Sequence, residues 1–178
     1  MAEYHFFYGG PFSQWHANDF VGGPQFEIDG VSYNCAEQYM MASKARQFGD
    51  GAALAEIMDL RHPRDQKATG RKVRGFDAAA WNAVSRDFVY RANWAKFTQN
   101  KGLGYELQST GDKILVEASP TDKIWGIGIG VLEAQDDNIQ PDQWKGTNWL
   151  GQVITKVRED IRAGSKSEKI DWDTVPWK

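Results

Sequence analysis

The sequence predicts an α+β domain, mostly helical with a few short strands. Three observations predict it. Apolar residues recur every three or four positions over long stretches, which is the helix period. The extended segments are short and scattered. No regular β-α-β alternation links them. At 178 residues the chain is long enough for one domain with a sizeable core. That domain is expected at residues 1–163, followed by a polar tail at 164–178.

Each element follows from local chemistry. Tyr4-His5-Phe6-Phe7-Tyr8 is a short aromatic strand that Gly9-Gly10-Pro11 breaks, and Gly22-Gly23-Pro24 marks a second loop. Phe26 and Ile28, then Asp29-Gly30, then Val31 and Tyr33 predict a hairpin, because Asp-Gly suits a two-residue turn in which both positions take positive φ. A helix is expected from Asn34, an N-cap residue with Glu37 at capping-box spacing, to Phe48, with Gly49 ending it. Asp50 caps the next helix, and Pro63 opens a third that stops near Gly70.

The clearest helix runs from Asp77 to Gln99, with Trp81, Val84, Phe88, Ala92 and Ala95 as its apolar stripe. A short helix covers Gly104 to Gln108. Ile114-Leu115-Val116 form the centre of a buried strand. Ile124 to Val131 alternates apolar residues with glycine, as a strand or a tight loop. The last helix carries Leu150, Val153, Ile154, Val157 and Ile161 and is capped by Asn148. The tail beyond Gly164 carries Trp172 and Trp177, which could dock it.

Composition excludes several classes of function. A net charge of −3 argues against bulk electrostatic grip on nucleic acid. The single cysteine, Cys35, builds neither an internal disulfide nor a cysteine-rich zinc site, and favours a reducing compartment. No signal-peptide pattern opens the sequence and no run reaches the ~18 apolar residues of a membrane span. A cytoplasmic protein with no membrane partner is therefore expected. The eight tryptophans suit an aromatic core, or a wall on which a flat heterocycle stacks.

The candidate chemistry lies elsewhere than in the familiar loops. Gly126, Gly128 and Gly130 have the wrong spacing for a dinucleotide loop and no helix pattern follows them. They are expected to allow a close backbone approach. His5, His16 and His62 are scattered and show no zinc spacing. Arg61, Arg64, Lys67, Arg71, Lys72 and Arg74 make a local positive segment with Asp65 as its one acid. Lys67, Arg71 and Arg74 share a helical face if the helix persists that far. Such a segment is either a solvated face or a phosphate clamp. Two acids stand in suggestive surroundings, Glu37 in Ala36-Glu37-Gln38-Tyr39-Met40-Met41 and Asp122 in Pro120-Thr121-Asp122-Lys123. Local reasoning makes Glu37 half of a capping box and Asp122 a turn residue.

Several motifs occur together in order: Phe12-Ser13-Gln14-Trp15; Tyr33 to Ala45 with its Lys44-Ala45 end; Lys67 with Gly70-Arg71; Lys96-Phe97; Thr110-Gly111; Leu115-Val116-Glu117-Ala118; Asp122 with Trp125-Gly126; and Gly146-Thr147-Asn148 with Leu150-Gly151, then Arg158. On these the chain resembles the YbiA/NADAR family from about Phe6 to Arg162. The resemblance implies an α+β domain that cleaves N-glycosidic bonds without a metal or other cofactor. One branch acts on phosphoribosylamino-pyrimidine intermediates of riboflavin synthesis and releases ribose 5-phosphate. Another removes ADP-ribose from guanine bases, which would make modified nucleic acid a substrate.

Carried over by motif, Glu37 is the first catalytic candidate, Asp122 the second and Lys44 the candidate amine. Trp125 with Gly126 would wall the site, Lys67 and Arg71 would contact phosphate, and Trp15 and Asn148 would also contact substrate. Some relatives carry an acid after the Trp-Gly pair, where this chain has Ile127. The residue types fit the chemistry. C–N cleavage builds positive charge on the sugar, which a carboxylate stabilises, and an acid can protonate the leaving nitrogen. A lysine can trap an opened sugar as a Schiff base or contact phosphate instead, and the sequence leaves both roles open for Lys44. The mild acidity favours a small phosphoribosyl substrate over a nucleic acid. A module that binds ADP-ribose without cleaving it could dispense with the acids, and this chain retains them.

Overall fold

Four strands and seven helices make up the described part of a computed structural model of the chain: β1 (Tyr4–Phe7), β2 (Phe26–Ile28), β3 (Val31–Tyr33), α1 (Ala36–Gln47), α2 (Gly51–Asp59), α3 (Pro63–Gly70), α4 (Ala78–Gln99), α5 (Lys101–Ser109), β4 (Ile114–Glu117), α6 (Val131–Ala134) and α7 (Trp149–Ala163). The structure describes residues 3–17, 25–136 and 139–178. The expected α+β class, mostly helical with short strands, is what forms. The loop expected at Gly22-Gly23-Pro24 lies outside the described residues. By its contacts the chain divides into two compact units, Gln14–Gly104 and the remainder, the latter built from residues up to Ser13 together with Tyr105–Lys178.

The Gln14–Gly104 unit starts from the hairpin. Asp29 and Gly30 take φ of 52° and 76°, as the two-residue turn requires, and β2 and β3 pair antiparallel with Phe26 opposite Tyr33. Gln99 then fastens β2 to the end of α4. It accepts from Glu27 N–H and donates to Glu27 O, both at 2.8 Å. α1 is the centre of the unit and packs against α2, α3 and α4. Every residue from Ala36 to Ala45 is buried.

The start of α1 differs from the sequence expectation. Cys35, not Asn34, is the N-cap, and no side chain caps the helix. The Asn34 amide is drawn away by residues distant in sequence. It donates to Arg61 O at 3.0 Å and accepts from Gln66 Nε2 at 3.0 Å. Gln38, one residue beyond the expected partner, accepts from Asn34 N–H at 2.8 Å. The buried Glu37 is thereby released from the capping box.

The other caps form as expected, with Asp50 accepting from Ala53 N–H and Asp77 from Ala80 N–H. α4 is rotated from its apolar stripe. Val84 and Phe88 are only half-buried, while Ser85, Asn93 and Lys96 are fully buried beside Trp81, Val89 and Ala92. Polar side chains hold part of the inner face, and hydrophobic periodicity does not register them.

Asp50 has a second task. Its carboxylate accepts from Arg74 N–H at 2.9 Å and from the Arg74 guanidinium at 2.9 and 3.3 Å. Arg74 therefore lies beyond the end of α3, paired with Asp50, and does not join the helical face expected for Lys67 and Arg71. These bonds hold the Asp50 carboxyl well below the usual carboxylate range, the Arg74 side chain contributing most. A carboxyl depressed in the folded state stabilises at neutral pH, and that contribution is lost as pH falls below the ordinary Asp range of about 4. Urea midpoints of wild type and Arg74→Met should differ at pH 7, and the gap should narrow progressively as pH falls below about 4. A gap that stays constant across the titration would contradict the assignment.

The second unit is built on a parallel pair, β1 with β4, Tyr4 opposite Ile114 and Phe7 opposite Glu117. Ile114 and Ala118 donate to β1-side carbonyls of Glu3 and Phe7. The alternate N–H groups point the other way, where side chains of α7 and its cap serve in place of a further strand. Leu115 N–H donates to Thr155 Oγ1 at 3.1 Å, and Glu117 N–H donates to Asn148 Oδ1 at 3.0 Å. The buried Arg158 of α7 donates to Thr110 Oγ1 and Lys113 O, fixing the turn before β4. Residues 124–130 form a loop, not a strand. The tail docks: Trp172 is buried, and Gln152 Nε2 donates to the carbonyls of Trp172 and Val175.

Candidate functional site

Glu37 and Lys44 are seven residues apart on α1, two turns, so their side chains lie on one stripe with Met41 between them. Both are nearly inaccessible, 4% and 8% exposed. A close helix contact brings basic residues to this stripe. A Cβ built on Gly70 would overlap the Met41 side chain, so with glycine there the end of α3 closes onto α1 without displacing Met41. Arg71 follows as the C-cap of α3. Its charge and that of Glu37 both reach the Lys44 amine.

Burial dominates the Lys44 environment and pulls its pKa below the ordinary lysine value. Glu37 opposes that shift and Arg71 adds to it. The Lys44 Nζ also sits 4.1 Å from the centre of the Phe76 ring. Phe76, outside the family motifs quoted above, is a residue that sequence reasoning missed. Its Gly75-Phe76-Asp77 setting reads locally as a helix entry.

The loop before the hairpin reaches the same helix. Gln14 O accepts from Glu37 N–H at 3.0 Å. The Gln14 side chain accepts from Asn93 of α4 at 2.8 Å. Gln14 therefore positions the residue that follows it, Trp15, which is 40% exposed. His62 meets that ring edge-on at 6.5 Å, and Lys67 Nζ stands 5.9 Å from its centre. Trp15, Glu37, Lys44, Lys67 and Arg71 thus belong to one neighbourhood around α1 and α3. It joins a buried carboxylate and a buried amine to a flat exposed ring, the half-buried Lys67 and the exposed Arg71. Of the six basic residues at 61–74, Arg64 pairs with Asp65 and Arg74 with Asp50. Arg61, Lys67, Arg71 and Lys72 have no carboxylate partner among the described residues.

Cys35, next to this stripe, is not a nucleophile. Its thiol is fully buried and donates to Gln66 Oε1 at 3.2 Å. Burial pushes its pKa up to about 12, and a thiol that stays protonated at neutral pH is inert. Among the described residues no three His, Cys, Asp or Glu side chains gather as metal ligands would.

The remaining sequence candidates lie in the other unit, and their geometry there is largely that of turn and packing residues. Asp122 Oδ1 accepts from Ile124 N–H at 2.9 Å and Trp125 N–H at 2.8 Å, an Asx turn. Trp125 is half-buried, edge-on to Trp149 at 5.7 Å. A Cβ on Gly126 would stand 2.9 Å from Glu117 O and 3.0 Å from Asp122 O. The glycine serves packing of backbone on backbone.

The expected side-chain cap from Asn148 does not form. Its fully buried amide instead donates to Leu115 O and Trp177 O and accepts from Glu117 N–H. With both amide hydrogens and the oxygen engaged, Asn148 clamps the start of α7 to β4 and to the tail. The N–H groups of residues 147–150 donate to the carbonyls of residues 123–126, so the start of α7 is tied to protein.

The family model described as NADAR domain matches residues 6–162, through both units. The "N-glycosidase R617" of Acanthamoeba polyphaga mimivirus is 42% identical over 152 residues, which cover 84% of this chain and 86% of that protein. The NMR structure of the E. coli protein YbiA superposes with a TM-score of 0.69 at 25% identity, covering 92% of this chain and 88% of that one. More distantly, the "Riboflavin biosynthesis protein PYRR, chloroplastic" of Zea mays is 28% identical over 145 residues, 78% of this chain and 21% of that protein. The chain belongs to the NADAR domain family.

Proposed function

We propose that this NADAR-family protein, an N-glycosidase, hydrolyses phosphoribosylamino-pyrimidines and releases ribose 5-phosphate and the free base. The observation that carries the proposal is that buried Glu37 and a buried, pKa-lowered Lys44 share one stripe of α1, where the charges of Glu37 and Arg71 both act on the amine. The names of its relatives support the bond type, and that of the maize protein supports the pathway.

In the proposed reaction Lys67 and Arg71 hold the phosphate and the Trp15 ring faces the pyrimidine. The lowered pKa keeps more of Lys44 as neutral amine, the form that adds to carbon. The amine adds to C1 of the ring-opened sugar and the base nitrogen leaves with a proton. Water then hydrolyses the Schiff base, releasing the sugar phosphate and restoring the amine. Glu37 moves the protons in both halves. The chemistry rests on this one neighbourhood and asks nothing of Asp122 beyond its turn. No helix among the described residues is long and apolar enough to cross a membrane.

The test is incubation of the purified protein with each phosphoribosylamino-pyrimidine, and separately with ADP-ribosylated guanosine and DNA. Release of base and ribose 5-phosphate from the first is expected, and borohydride should trap a sugar adduct on Lys44. Release of ADP-ribose from the second set alone would replace this substrate class. Release from neither would overturn the reading.

A further inference from the structure

The face of α1 turned away from Glu37 and Lys44 borders a separate cleft. Tyr39, Ser43 and Arg46 fall roughly opposite positions 37, 41 and 44 by the 3.6-residue period. With Tyr33 of β3 and Phe88 and Arg91 of α4 they line a cleft of about 400 Å³. None of these residues belongs to the neighbourhood of Glu37. We propose that this cleft is a second binding site, for an aromatic ring that carries a phosphate.

Aromatic groups make its floor. Tyr33 and Tyr39 are 2% and 5% exposed and meet edge-on at 5.0 Å. Ser43, 2% exposed, gives that floor a hydroxyl, and Phe88 stands half-buried at the wall. This combination suits a flat ring, which an apolar floor desolvates and an aromatic edge supports.

The rim supplies the charge. Arg46 and Arg91 are exposed, and neither has a carboxylate partner among the described residues. The one acid lining the cleft is Asp29, at the hairpin turn. Arg46 Nη2 donates to the Tyr33 hydroxyl at 2.9 Å, and its guanidinium lies 5.9 Å from the Tyr33 ring centre. That bond holds the fork at the cleft before any ligand arrives, leaving its other N–H groups for an anion. Two unpaired guanidiniums over an aromatic floor favour a ligand with both features over phosphate or ring alone.

The test is an NMR titration of the full chain with AMP, with inorganic phosphate and adenosine as separate arms. AMP should shift amides of Val31, Ser43 and Gln47 and bind more tightly than either fragment. Arg91→Ala should raise its Kd about tenfold, as should Arg46→Ala, whereas Arg71→Ala leaves it unchanged. Arg46→Lys keeps the charge without the fork and should fall between. Arg91→Ala breaks no bond among the described residues, so thermal unfolding should match wild type and its loss of binding would report the site. Shifts confined to residues near Lys67 and Arg71, binding indifferent to Arg46 and Arg91, or no binding at millimolar AMP would each overturn the proposal. All three outcomes are independent of whether the glycosidase reaction is observed.

Discussion

Glu37→Gln should lower kcat for release of the base by about a thousandfold while leaving KM within a fewfold of wild type. General acid–base catalysis by a positioned side chain is worth about 10²–10⁴ in rate. The substitution keeps the volume of a side chain that is 4% exposed, and it leaves the Glu37 N–H bond to Gln14 O in place. The melting temperature should therefore move by only a few degrees. Arg71 offers the contrast. It is exposed and its proposed contact is to a phosphate that does not react. Its removal should raise KM about tenfold with little change in kcat, the signature of binding lost equally in ground and transition states. Full activity in a folded Glu37→Gln protein would remove the carboxylate from the mechanism. An equal loss of kcat and gain of KM in both variants would mean that the two residues act only by shaping the site.

The difference between these residues bears on what the sequence could reveal. The hairpin at Asp29-Gly30, the caps at Asp50 and Asp77 and the entry at Pro63 are local chemistry, and each forms where residue type alone places it. The start of α1 is not local. Asn34 is a capping residue by type, but the carbonyl of Arg61 and the amide of Gln66, about thirty positions away, claim its side chain. The same competition explains Asn148, whose amide is held by β4 and the tail. It explains the inner face of α4, where Asn93 bonds to Gln14 across 79 positions. The parallel pairing of β1 with β4 spans about 110 residues, and no periodicity announces it. Glu37 illustrates the limit for the site. Spacing made it a cap and the motif made it a catalyst. The structure removes the capping role and leaves it on one stripe with Lys44, where its charge acts on the amine, a relation that the 3.6-residue period contains but that no local rule selects as functional.

Gly151→Ala should lower the melting temperature by about 5–10 °C, although alanine is the better helix former. Gly151 lies in the first turn of α7, where the intrinsic gain from alanine is at most about 1 kcal/mol. Against it stands a steric conflict with atoms that have nowhere to go. A Cβ there would fall well inside van der Waals contact of Leu115 O, and 2.6 Å from Asn148 Nδ2. Leu115 O accepts from that Nδ2, and Leu115 N–H donates to Thr155 on the same helix. β4 is pinned on its other edge by β1. To make room, α7 must lift from the strand and break the bonds that replace a neighbouring strand. Overpacking typically costs about 1–3 kcal/mol and more where backbone must move. A net loss of about 2–3 kcal/mol corresponds to the stated drop for a chain of this size. Gly102→Ala is the control, since a Cβ there meets nothing within 4 Å and the substitution should be neutral or stabilising. If both alanine variants melt together, α7 does not depend on its close approach to β4, and the side-chain ties between them carry less of the stability of this unit than their geometry indicates.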